Sequence, residues 1–208
     1  MKFLNTLLIS LVMLTSSIST VNATLIQVND NLEVEALTLT ESFINFYDYN
    51  TNKWSSNTGY EQNNTIVMFF AEYNNELALF TLADSFGQGS AGTATIAINN
   101  INDFGTILFK DDAGDATTSN GVAWKWSAGK NDGFIFTLNN PSDFYLDIQF
   151  SNLSGVGKGI KFLSFSDQNS PTEHEMKSNL TAKKVPEPST LAIFGLALIC
   201  LASRQFKK

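Results

Sequence analysis

Apolar and polar residues alternate with a period of two through most of the middle of this chain. In 143–150, Phe144, Leu146, Ile148 and Phe150 fall on one face, and Tyr145, Asp147 and Gln149 on the other. That pattern predicts a strand with one dry and one wet side. Further runs rich in β-branched and aromatic residues predict strands at 32–40, 43–49, 65–70, 76–82, 93–98, 106–110, 122–126, 133–138 and 160–165. Turn compositions separate them: Asn74-Asn75, Asn99-Asn100, Asp112 to Asp115, Asn131-Asp132-Gly133 and Asn139-Asn140-Pro141. Asn and Gly tolerate positive φ, Asp and Asn close Asx turns, and Pro presets its own φ. No helical period in this region outlasts a turn or two. About ten short strands at this spacing predict an all-β body, an antiparallel β-sandwich of jelly-roll-like type.

The two ends follow different rules. Lys2 and the amino terminus precede an apolar run from Leu7 to Leu14, and a polar stretch of small residues follows up to Ala23. Val21 and Ala23 occupy the −3 and −1 positions of a cut before Thr24, so residues 1–23 read as a secretory signal peptide. It is too short and wrongly flanked for a membrane span. At the other end, Pro186-Glu187-Pro188 precedes an apolar helix over 191–202, and Arg204, Lys207 and Lys208 close the chain. Twelve helical residues cover roughly 18 Å, well short of the roughly 30 Å hydrocarbon core. Such a transmembrane-like helix suits a temporary stop rather than a permanent anchor, with the cations held on the cytoplasmic side.

Val185-Pro186-Glu187-Pro188-Ser189-Thr190-Leu191, the apolar helix and the basic end, on a chain with a signal peptide, resemble the PEP-CTERM sorting signal. The resemblance covers about the last 24 residues. It implies export by a Gram-negative bacterium and recognition of the tail by an exosortase, a membrane-embedded cysteine transpeptidase-like enzyme. It also implies cleavage near Pro186-Glu187-Pro188, and an association with exopolysaccharide and biofilm-matrix production. The logic parallels a GPI signal, whose hydrophobic tail is removed. The partners it implies are the Sec translocon, signal peptidase, the exosortase, the inner membrane in passing, and matrix exopolysaccharide.

Removal of both ends leaves Thr24 to Val185, with nine lysines, no arginine and 19 acids, a formal charge of −10. This excludes nucleic acid as a partner, since phosphate binding needs a basic surface. Cys200 lies in the tail, so the body has no disulfide, no thiolate nucleophile and no zinc thiolate site. A chain of this size can be stable on its core alone. Residues 24–166 are expected to form the domain. The polar stretch 167–185 reads as a flexible tether that lets the processing enzyme reach 186–208.

The candidate chemistry is sparse. The single histidine, His174, falls in the expected tether, which cannot orient the base of a hydrolase triad. A glycosidase would need two facing carboxylates, and 19 acids cannot be sorted into such a pair by sequence. Trp124 and Trp126 share one face of a strand with Val122, while Trp54 sits in the loop-like 52–56. Exposed, they would form a platform for sugar rings; burial in the core is the favoured reading for the pair. Asp111, Asp112 and Asp115 are a candidate calcium site. Their spacing does not match an EF-hand loop, so an ordinary solvated turn is preferred. The sequons at Asn63, Asn152 and Asn179 are what an Asn-rich chain yields by chance. The expected protein is non-enzymatic and needs no cofactor, a surface or matrix component sorted by an exosortase. A carbohydrate-binding module is the alternative, and a secreted glycan hydrolase the third reading.

Overall fold

A computed structural model describes residues 23–53, 55–100, 105–118 and 120–185. Residues 1–22 of the expected signal peptide, Trp54 and the tail from Pro186 onward, including the expected transmembrane-like helix, lie outside the described residues. Among the described residues no helix is long and apolar enough to cross a membrane.

The body is two seven-stranded sheets stacked face to face. The first is antiparallel throughout, in the order β2(Leu32–Glu35), β1(Leu25–Val28), β14(Asn179–Lys184), β11(Tyr145–Ser154), β6(Gly92–Asn100), β9(Gly121–Trp126), β8(Ala116–Thr118). The second runs β13(Thr172–Met176), β12(Ile160–Ser164), β4(Ile66–Tyr73), β5(Glu76–Ala83), β10(Asp132–Leu138), β7(Thr106–Lys110), with β3(Leu37–Thr38) also paired to β4. The expectation of a wholly antiparallel sandwich is corrected here. Both β3 and β12 run parallel to β4.

Strand composition tracks this arrangement. Strands of the first sheet alternate, with Leu146, Ile148 and Phe150 of β11 buried and Tyr145, Asp147 and Gln149 outside. Strands β4 and β5 read as nearly unbroken apolar runs because both of their faces are covered. Ile66, Met68 and Phe70 of β4 join the core between the sheets. Val67, Phe69 and Ala71 join a second core on the outer face of the same sheet.

That outer core is covered by α1(Phe43–Tyr47), where a strand over 43–49 was expected. Phe43, Phe46 and Tyr47 stand at i, i+3 and i+4, so a helical turn points all three inward, whereas a strand would expose Phe46 or Tyr47. Ser42 caps the turn by accepting from the Asn45 N–H, and Asp48 ends it in the left-handed region at φ 47°. All three rings pack against Phe80, with centroids 5.7–6.4 Å away.

The expected turn at Asn74-Asn75 joins β4 to β5, with both residues at positive φ. Asn99-Asn100, by contrast, are the last residues of β6, paired with Asp147 and Leu146.

The largest correction concerns 167–185. This stretch is not a tether: it folds into β13 and β14, and β14 lies inside the first sheet between β1 and β11. Leu180 and Ala182 face the inter-sheet core, while Asn179, Thr181 and Lys183 face outward. Truncation after Ser166 is therefore expected to abolish cooperative unfolding, as followed by urea denaturation, whereas loss of a tether would leave the transition intact. Leu180→Ala, at a site 2% exposed, should cost about 3 kcal/mol in the same measurement.

Candidate functional site

The expected binding residues separate sharply. Trp124 and Trp126 are core residues, 2% and 3% exposed, which removes them as a surface platform for sugar. The Trp124 ring lies 5.2 Å from that of Phe134, and the Trp126 Nε1–H donates to the Ser90 carbonyl at 3.0 Å. Gly92 makes room for Trp126, since a Cβ there would come within 2.2 Å of the indole. His174 stands half-buried on the edge strand β13 opposite Phe162, not in a tether.

The acidic turn is not simply solvated. Asp111 and Asp115 are each only 9% exposed. Asp112, expected beside them, is half-buried and outside the group that converges. The third converging carboxylate is Asp132 at the start of β10, 1% exposed. One carboxylate oxygen from each of Asp111, Asp115 and Asp132 lies within 4.8 Å of the other two.

The surrounding groups fix these side chains. The Tyr47 hydroxyl donates to Asp111 Oδ2 at 3.0 Å, and the Gly133 N–H donates to Asp132 Oδ1 at 2.7 Å. Gly133 is required because a Cβ there would stand 2.5 Å from the Tyr47 hydroxyl oxygen. The Lys110 ammonium reaches back over the turn to the Asp115 carbonyl at 2.5 Å. Asp132 was missed in the sequence because Asn131-Asp132-Gly133 reads as a turn. The available signal was an acid placed directly against the apolar run 134–136.

The chain ends form the second feature. Strands β1 and β14 are antiparallel, with Ile26 opposite Lys184, and the Val185 N–H donates to the Leu25 carbonyl at 3.1 Å. Thr24 and Val185 therefore stand side by side at one end of the described body. Thr24 is held by Glu72 of β4: its N–H and hydroxyl donate to Glu72 Oε2 at 3.2 and 2.6 Å. Glu72 Oε1 accepts from the Thr38 hydroxyl at 2.9 Å.

Residues 184–208 match the family model of the PEP-CTERM protein-sorting motif. The chain carries a PEP-CTERM sorting signal. The motif implies export and sorting by an exosortase. No curated protein and no solved structure matches the chain. The PEP-CTERM match begins at Lys184, the last residue of β14, so the sorting signal starts where the sheet ends.

In the acid cluster, electrostatics oppose full ionisation. Two unit charges 4.8 Å apart repel by roughly 3 kcal/mol at an effective dielectric of about 20. Burial pushes Asp132 up to about 11, helped by its hydrogen bond to and the charge of Asp111. Burial, then the charges of Asp111 and Asp112, raise Asp115 to about 7. Asp111 is raised by burial against the opposing pull of its hydrogen bonds. Tyr47 is raised well above its usual value, by burial first and then by Asp111.

In the unfolded chain an aspartate releases its proton near pH 4. Between about 4 and 7 the folded state thus holds more protons than the unfolded state, and stability falls as pH rises. In metal-chelated buffer, urea denaturation of the exported protein should show this decline as the pH approaches 7, and Asp115→Asn should make it shallower, the remaining slope coming from Asp132, which stays protonated across the window. A stability that rises across the same window would contradict the assignment.

Proposed function

We propose that this protein is a non-enzymatic component of the cell surface or extracellular matrix of a Gram-negative bacterium, delivered by the exosortase route and associated with matrix exopolysaccharide. The observation that carries the reading is the PEP-CTERM motif over 184–208, joined directly to β14 of a β-sheet body that has no cysteine. Its acidity, a formal −10 over 24–185, favours solubility outside the cell. In this reading signal peptidase cuts before Thr24 and the exosortase removes the tail near Pro186-Glu187-Pro188. Because Thr24 precedes β1 and Val185 follows its neighbour β14, both cuts fall at the same end of the folded body. Mass spectrometry of the exported protein should find an amino terminus at Thr24 and no peptide containing Arg204 to Lys208. Recovery of that tail from exported protein would show a retained anchor instead.

Cleavage before Thr24 also changes a contact. The Thr24 N–H that donates to Glu72 becomes an α-ammonium, and a hydrogen bond from a neutral donor to a carboxylate becomes an ion pair. The site is half-buried, so solvent screening limits the gain. Glu72→Gln is expected to destabilise the exported protein by about 1 kcal/mol and the uncut precursor by less, with both measured by urea denaturation. Equal losses in the two forms would show that the freed amine contributes nothing.

A further inference from the structure

We propose that Asp111, Asp115 and Asp132 bind one divalent cation of the calcium class, which fastens the β7–β8 turn to the first residue of β10. What points to a ligand is the set of oxygens left over rather than the number of acids. Asp111 Oδ2 is taken by Tyr47 and Asp132 Oδ1 by Gly133. The other oxygens, Asp111 Oδ1 and Asp132 Oδ2, together with Asp115 Oδ2, are buried and meet no backbone, amide, hydroxyl or ammonium donor, so without a cation they can satisfy one another only by sharing a proton between carboxyl groups. All three side chains are at least nine-tenths buried. Buried polar atoms are normally satisfied, and a buried charge is normally paired or metal-bound.

The geometry suits one ion. Oxygens at about 2.4 Å from a calcium ion can stand at most about 4.8 Å apart, and the donor atoms here lie within 4.8 Å of each other. The donor set is hard oxygen throughout, with no imidazole or thiolate, which disfavours zinc and its relatives. Three carboxylates and a dication leave a single negative charge. Lys110, whose ammonium lies on the Asp115 carbonyl, stands next to it, and Asp112 adds to the negative field. Calcium completes its shell of six to eight oxygens with backbone carbonyls and water.

The position gives the ion a mechanical role. β7 is the last strand of the second sheet and β8 the last of the first, so the Asp111–Asp115 turn crosses between sheets. The chain crosses back between β9 and β10, and Asp132 opens β10. A cation held by all three residues joins both crossovers on one side of the sandwich. In a body without disulfides it does the work of a cross-link, and its stabilisation grows with the logarithm of ligand concentration over Kd.

The test uses the exported protein with calcium chloride, magnesium chloride or chelator, and terbium(III) as a luminescent substitute. Calcium at about ten times Kd should raise the folding equilibrium constant about tenfold, a Tm increase of roughly 3 °C. Terbium emission should be sensitised through the aromatic side chains, since Tyr47 touches Asp111, and calcium should compete it away. Asp132→Asn should abolish the calcium shift and the terbium signal while melting in chelator no lower than the parent, because it removes a buried acid. Asp115→Asn provides the same readout if Asp132→Asn does not fold. An unchanged Tm with no terbium emission would overturn the proposal and leave a carboxylate pair sharing a proton. An equal shift with magnesium would overturn the assignment to the larger ion. None of these results depends on how the chain is exported or cut.

Discussion

The pairing of β14 between β1 and β11 is the constraint on which the rest of the molecule depends. It places the last folded residues of the body inside a sheet rather than on a stalk. Leu180 and Ala182 close part of the inter-sheet core, and the backbone of 179–184 bonds to strands on both sides. The same pairing sets the two ends of the described body side by side, because β1 begins beside the residue at which β14 stops. The sorting motif therefore begins at the end of an inner strand.

The second sheet is loaded on both faces, and this has a cost at its margin. Its inner face meets the first sheet, and its outer face holds Phe69 and Phe80 under α1, with Phe165 packed against Phe69 beside them. Where that double-sided core reaches the β7–β8 crossover, Tyr47 and the three aspartates are drawn into low dielectric together. The raised pKa values of Asp115 and Asp132 express the same physics as the unsatisfied oxygens. The cluster needs protons or a cation, and which of the two it holds depends on the surrounding solution.

The all-β character and most of the strands were legible in the sequence, because alternation in β11 and unbroken apolar runs in β4, β5 and β10 are strong local signals. The sorting signal was legible because its three parts occur in fixed order at the end of the chain. What was misread had weak or conflicting local signals. The stretch 43–47 is rich in β-formers, yet the spacing of Phe43, Phe46 and Tyr47 favours a turn of helix once there is a face to cover. β14 carries only Leu180 and Ala182 as inward residues among polar neighbours, so it resembles a linker until its partners are known. β13 is an edge strand with a Thr-Glu-His-Glu-Met pattern, and edge strands are commonly charged to discourage further pairing. Asp132 belongs to the acid cluster only through the register of β10, which no local spacing reveals.

Amide hydrogen exchange over 179–185 in the exported protein tests the central claim most directly. If β14 is an inner strand of the first sheet, these amides should exchange as slowly as those of its neighbour β11, by opening that approaches global unfolding. Exchange at the rate of an unstructured chain end, with β11 still protected, would contradict the account.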